Sequence, residues 1–159
     1  MALRFALLTV SDRVSRGVLD DAGGDALEEL VIGKGWKVVA RQVVPDESAQ
    51  ISEQLATWAD TNVSDIVFTT GGTGLSPRDV TPEATAAVAD RFVPGIPEAI
   101  RSQSMATTIF AMVSRGLAAT RGKTLIVNLP GNPSGAVQSA QIIVPILEHA
   151  VAIMHGGRH

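Results

Sequence analysis

The stretch from Phe68 to Glu83 constrains this chain more than any other. It opens as the end of an apolar run, Asp65-Ile66-Val67-Phe68, of strand character. Thr69 and Thr70 follow, and then Gly71, Gly72 and Gly74 fall around Thr73. Glycine at that density lets backbone N–H groups turn inward and approach a ligand closely, as in phosphate-binding nests. Further on, Thr81 before Pro82 predicts an N-cap followed by the first helical residue, so the positive end of a helix would point at the loop. Strand, glycine loop and helix start together predict an anion site. Arg78 and Asp79 add a candidate phosphate partner and a candidate metal ligand. The two common nucleotide motifs do not fit: no Lys follows Gly74, and Pro77 stands where the dinucleotide fingerprint needs glycine or alanine.

The 159 residues predict one domain, spanning 1–159 and long enough to bury a sizeable core. A hydrophobic fraction of 45% and a charged fraction of 18% predict a globular chain. A net charge of −3 argues against a nucleic-acid binder, although local arginines can still hold phosphates. No apolar run reads as a membrane span, and the N-terminus lacks signal-peptide features, so a cytoplasmic protein is expected. With no cysteine there is no disulfide, thiol nucleophile or Cys-ligated zinc. The histidines are His149, expected on a helix face, and His155 and His159, expected in a frayed tail; a histidine base is not expected.

In chain order, Arg4 to Val10 predicts a buried first strand. The polar loop Ser11-Asp12-Arg13-Val14-Ser15-Arg16-Gly17 would leave its carboxyl end, where open α/β sheets place ligands, and Arg13 and Arg16 could hold phosphate there. Asp20 to Gly24 reads as a turn before a helix from Asp25 to Ile32. Trp36 to Val44 predicts the second strand, and Ser48 to Thr61 a helix that Asp46 or Ser48 could cap. The helix from Thr81 runs to about Asp90. After a break at Val93–Pro97 another helix extends to about Thr108, with a small, apolar surface suited to a pocket or a subunit contact. Ala118–Arg121 and Thr124–Leu129 flank a tight connection at Gly122-Lys123. Pro130–Gly135 is a third turn, before a long apolar helix from Ala136 to His155. Strands alternating with helices predict an α/β sandwich around a mostly parallel sheet, with the strand-end loops meeting on one edge.

Several ordered motifs give the chain a family resemblance: Thr69 to Gly74, Arg78-Asp79-Val80-Thr81-Pro82-Glu83, and Asn128-Leu129-Pro130-Gly131-Asn132-Pro133. With Ser11-Asp12-Arg13, Val44-Pro45-Asp46-Glu47 and Ser114-Arg115-Gly116, they resemble the molybdopterin-binding family of the MogA/MoaB type, which is similar to the G domains of plant Cnx proteins and gephyrin. The resemblance implies a three-layer α/β/α sandwich, assembled as a homotrimer. It implies molybdopterin adenylyltransferase activity, in which ATP and molybdopterin give adenylylated molybdopterin and pyrophosphate with Mg²⁺. Asp46 and Asp79 match the catalytic, metal-holding carboxylates. Gly71, Gly72, Thr73, Gly74 and Ser76 match the nucleotide contact. Ser11, Arg13, Ser114, Arg115, Asn128, Pro130, Gly131 and Asn132 match the molybdopterin and phosphate side. A metal-insertion protein is an implied partner. One departure is Ala22, where the family often carries serine before the glycine of that turn.

The chemistry suits these residue types. A phosphate monoester has a second pKa of about 6, so it is anionic near neutrality and needs no strong protein base. What the reaction needs is alignment and charge neutralisation at the α-phosphate. Mg²⁺ takes one or two carboxylates plus phosphate oxygens, and arginines, here Arg13, Arg16, Arg78 and Arg115, match phosphate in bidentate fashion. The alternative is a non-catalytic molybdopterin carrier or scaffold of the same fold. A tungsten pathway would share the step, because the metal enters after adenylylation.

Overall fold

In a computed structural model, which describes residues 1–158, the centre of the molecule is three strands: β1 (Arg4–Val10), β3 (Ile66–Thr70) and β6 (Thr124–Leu129). All are buried along their length except for half-buried Arg4. Strands covered on both faces read as continuous apolar runs, as these do. Successive side chains still alternate between the faces. Phe5, Leu7, Ile66, Phe68, Leu125 and Val127 pack on one side under α2 (Ala22–Gly33), α5 (Gly95–Ser104) and α6 (Pro133–Met154). Ala6, Leu8, Val10, Val67 and Ile126 pack on the other under α3 (Ser48–Asp60) and α4 (Thr81–Val88). The architecture is the expected three-layer α/β/α sandwich.

The sheet order is β2-β1-β3-β6-β5-β4, with β2 (Lys37–Val44), β5 (Ala118–Arg121) and β4 (Arg91–Phe92) completing it. The pairs among β2, β1, β3 and β6 are parallel, and the two at the β4 edge are antiparallel. The register aligns Val10 with Val44, Thr9 with Thr70, and Thr70 with Leu129. Four strands therefore stop at one level, and the loops that follow them leave from one edge of the sheet.

Several local expectations need correction. Gly23 and Gly24 are not a turn; they lie in the first turn of α2, which Asp21 caps by accepting the Gly24 N–H at 3.1 Å. Neither Asp46 nor Ser48 caps α3, whose N-cap Glu47 makes no side-chain capping bond. The loop after β1 contains a one-turn helix, α1 (Asp12–Ser15). Helix α5 stops at Ser104, and a 3-10 turn, Ile109–Val113, follows with no buried residue. The exposed apolar surface lies on that turn rather than on α5, with Ile109, Phe110 and Met112 all exposed. Helix α6 begins earlier than expected, at Pro133, capped by Asn132. By length and hydropathy it could span a membrane, contrary to the sequence expectation, but Ala136, Ala140, Ile143, Leu147 and Val151 are buried in the core. His155 is not in a frayed tail: it ends α6 with Nε2 3.8 Å from Asp65. His159 lies outside the described residues.

At the end of the sheet away from these loops, buried Asp65 ties β3 to β1. It accepts from the Arg4 backbone N–H at 2.9 Å and from the Arg4 guanidinium at 2.9 and 3.3 Å. Burial alone would push its carboxyl up, but the Arg4 side-chain bonds, the backbone N–H and the Arg4 charge outweigh that and hold it below the usual range. A depressed folded pKa adds stability above the unfolded value of about 3.9, and the gain is lost as pH falls through the folded pKa. Asp65→Asn is expected to lose about 2 kcal/mol at pH 7, the scale of charge-assisted hydrogen bonds. Denaturant unfolding should show that the gap to wild type narrows as pH drops below about 3.9.

Candidate active site

The turn after β3 is held by its carbonyls. The Gly71 carbonyl accepts from the Thr81 hydroxyl at 2.9 Å, and the Gly72 carbonyl from the Thr81 N–H at 3.1 Å. The Thr73 carbonyl accepts from the Arg115 N–H at 2.9 Å, and the Gly74 carbonyl from Arg115 Nε at 2.8 Å. Thr81 thus fastens the loop instead of capping α4, whose N-cap is Val80. With four successive carbonyls turned into the protein, the N–H groups of Gly72, Thr73 and Gly74 donate to no acceptor among the described residues. An unpaired amide at buried Thr73, flanked by two more at half-buried Gly72 and Gly74, is the arrangement of a nest for an anion. The path requires glycine. Gly71 has φ 101°, and Gly72 has φ 70° with Asp46 Oδ1 only 3.2 Å from where a Cβ would stand.

The two predicted carboxylates flank this loop. Asp46 follows β2 and is bracketed with Asp12. Its Oδ2 accepts the Asp12 N–H at 2.8 Å, and Asp12 Oδ1 accepts the Asp46 N–H at 3.0 Å. Asp79 Oδ2 accepts the Ser76 N–H at 3.0 Å and lies 2.9 Å from the Cβ position of Gly74. A side chain at Gly72 or Gly74 would intrude on the space beside these carboxylates. Burial pushes the Asp46 carboxyl up; the Asp12 N–H opposes this, while the Asp12 and Asp79 charges add to it. Asp12 itself is held down, first by Arg78 and then by the Asp46 N–H. Asp46 and Asp79 each keep one oxygen with no N–H donor among the described residues. That donor set fits a hard cation such as Mg²⁺ completed by phosphate oxygens; among the described residues no closed cage of three or more ligands exists.

The remaining predicted residues fall into two groups. Around the nest, Ser11 caps α1 through the Val14 N–H at 3.2 Å, exposed Arg13 lies on that turn, and the Ser76 hydroxyl accepts from the Arg78 N–H at 3.4 Å. Arg78 is engaged, with Nε and Nη2 on Asp12 at 3.1 and 3.0 Å and Nη2 on Glu47 at 2.9 Å. Arg115 is a brace, bonded through Nη2 to the Asp79 carbonyl at 2.8 Å and through Nη1 to Glu83. Beside the nest, Ser114, Asn128, Pro130 and Asn132 line a cavity of about 470 Å³ between α5, the 3-10 turn and the start of α6. The Asn128 amide is consumed within the fold, by the Leu117 N–H at 3.0 Å, Thr69 at 3.0 Å and Thr85 at 2.9 Å. Gly131 connects the two regions, its Cβ position 3.3 Å from the Gly71 Cα. Three residues escaped sequence reasoning. The loop-fastening role of Thr81 was hidden by its cap-like place before Pro82. Asp12 sat within a motif already singled out. Arg101 lines the cavity, and its spacing of four from buried Pro97 was the available signal.

Comparison with known proteins places the chain in a family. Residues 6–149 match the model of a family described as "Probable molybdopterin binding domain". The chain is 41% identical over 142 residues to the molybdopterin adenylyltransferase of Escherichia coli K12, covering 87% of this chain and 72% of that one. It is 37% identical over 155 residues to the Drosophila melanogaster molybdenum cofactor synthesis protein cinnamon, covering 96% of this chain but 26% of that longer one. The crystal structure of the molybdopterin biosynthesis enzyme MoaB from Thermus thermophilus superposes with a TM-score of 0.91 at 45% identity, covering 97% of each chain. The chain belongs to the molybdopterin-binding domain family.

The electrostatics of Asp46 generate a stability test. A carboxyl whose folded pKa is raised subtracts stability above that pKa, and the loss disappears as pH falls below its unfolded value. Asn keeps an acceptor for the Asp12 N–H without the charge. Asp46→Asn should therefore melt at or above the wild-type temperature at pH 7, with the difference vanishing as pH falls below about 3.9. Thermal melts showing a drop of several degrees at pH 7 would contradict this placement of Asp46.

Proposed function

We propose that this chain works in molybdenum cofactor biosynthesis as a molybdopterin adenylyltransferase. The carrying observation is the nest of three unpaired amides between Asp46 and Asp79, with the 470 Å³ cavity at its side. The named activity of the Escherichia coli relative supports the same reading. ATP phosphates would take the Gly72, Thr73 and Gly74 N–H groups, and molybdopterin would take the cavity. A phosphate oxygen of molybdopterin attacks the α-phosphorus of ATP; a new P–O–P linkage forms, the bond to the bridging oxygen breaks, and pyrophosphate leaves with that electron pair. Mg²⁺, held by Asp46 and Asp79 with phosphate oxygens, would supply charge neutralisation at the transferring group. The chain's own contribution is alignment: the fastened loop fixes its amides before ATP arrives, so little reorganisation is needed. Arg13 and Arg16 stand exposed beside the first loop and would meet the outer phosphates.

The assembly we infer is a homotrimer. The support is the family resemblance together with Ile109, Phe110 and Met112, which are 63%, 76% and 62% exposed on the 3-10 turn. Light scattering should give about three times the 16.6 kDa chain mass, and a species of single-chain mass at micromolar concentration would rule the trimer out.

The purified protein, given ATP, Mg²⁺ and molybdopterin, should release pyrophosphate only when all three are present. A protein that binds molybdopterin and releases none is a carrier. Asp79→Asn removes one charge from the transferring group, and a loss of about 3 kcal/mol, or roughly 100-fold in rate, is expected. Near-wild-type turnover in this variant would refute the two-carboxylate arrangement.

A further inference from the structure

The cavity beside the nest carries a feature that the reaction scheme leaves unused. Among the described residues lining it, Arg101 is the one charged side chain. Its Nη1 donates to the Gly116 carbonyl at 2.9 Å and the Ser114 carbonyl at 3.4 Å. Its Nε and Nη2 donate to nothing among the described residues, which leaves three of the five guanidinium N–H groups without a partner. The other half-buried arginines, Arg4, Arg41, Arg115 and Arg121, each pair with at least one carboxylate. A half-buried guanidinium with free N–H groups and no carboxylate on it is open to pairing with an anion.

We propose that Arg101 recognises the phosphate of the molybdopterin substrate, pairing with it through Nε and Nη2 while Nη1 keeps the Ser114–Gly116 turn. The proposal rests on the molybdopterin reading above and adds the residue that orients the substrate. The location fits the chemistry. The turn that Arg101 grips is the one whose Arg115 N–H holds the Thr73 carbonyl. An anion on Arg101 would therefore sit beside a turn bonded to the nest loop, where the phosphate must face ATP. The rest of the substrate would extend toward the apolar wall formed by Ile100, Phe110 and Ala111. A paired guanidinium there offers a fork that matches a phosphomonoester, and it discriminates against a neutral alcohol at the same position.

The test is a thermodynamic cycle on the full-length protein. Anaerobic titrations would measure the affinity of wild type and Arg101→Gln for molybdopterin and for its phosphatase-treated form. Removing the phosphate should weaken binding to wild type by about 10- to 100-fold, the range of charge-assisted hydrogen bonds. In Arg101→Gln the two ligands should bind alike, and Arg101→Lys should recover part of the preference. Wild type binding both ligands within about twofold would overturn the proposal without any variant. An equal loss for both ligands in Arg101→Gln would overturn it too, reducing Arg101 to a brace of the turn. No binding of molybdopterin to wild type would sink this proposal and the molybdopterin reading together. Binding with a phosphate preference but without pyrophosphate release would sink only adenylyl transfer.

Discussion

The site depends on where four carbonyl groups point. Peptide dipoles come as pairs, so a loop that turns its carbonyls toward the protein turns amides the other way. Here Thr81 and Arg115 take the carbonyls of Gly71 to Gly74, and the amides of Gly72, Thr73 and Gly74 are left facing outward. The positive φ values of Gly71 and Gly72 make that inversion sterically cheap. Each fastening comes from a different part of the chain, Thr81 from the start of α4 and Arg115 from the segment before β5. The nest is thus a tertiary construction, which the folded sandwich keeps in place before a ligand arrives.

The arginines divide by the same logic. Arg4 and Arg121 are structural, each pinned to a carboxylate away from the ligand edge. Arg41 gathers Asp21, Asp25 and Glu28 at the start of α2. Arg115 holds the loop, and Arg78 spans Asp12 and Glu47 across two strand-end loops. Counting arginines near a glycine loop therefore overstates the phosphate ligands, because a fork that suits phosphate suits a carbonyl or a carboxylate equally well. Arg101 is the opposite case: absent from every recognisable motif, it lines the cavity and pairs with no carboxylate among the described residues.

Much of the architecture was legible in the sequence because its causes are local. Continuous apolar runs marked β1 and β3, and Gly122-Lys123 marked the β5–β6 hairpin. The boundary errors share one cause, since a short polar residue at a helix start has more than one use. Asp21 caps α2 two residues before glycines that looked like a turn, because its side chain reaches the Gly24 N–H. Thr81 looked like a cap and is a fastener, a distinction set by the loop that folds back over it. Of the candidate site, Asp46, Asp79 and the glycines could be singled out from motif and chemistry, and the fold brings both carboxylates against the glycine loop. The bracket between Asp12 and Asp46 was not, because it joins residues 34 apart through the β1–β2 register.

The central claim is that ATP phosphates lie on the Gly72–Gly74 amides with a divalent cation between Asp46 and Asp79. Phosphorus NMR of the ATP complex with Mn²⁺ replacing Mg²⁺ tests it most directly, because a bound paramagnetic ion broadens the phosphates next to it. The account predicts enzyme-dependent broadening of the α-phosphate that is lost when both carboxylates are replaced by Asn. Broadening unchanged in that double variant would place the cation elsewhere and contradict it.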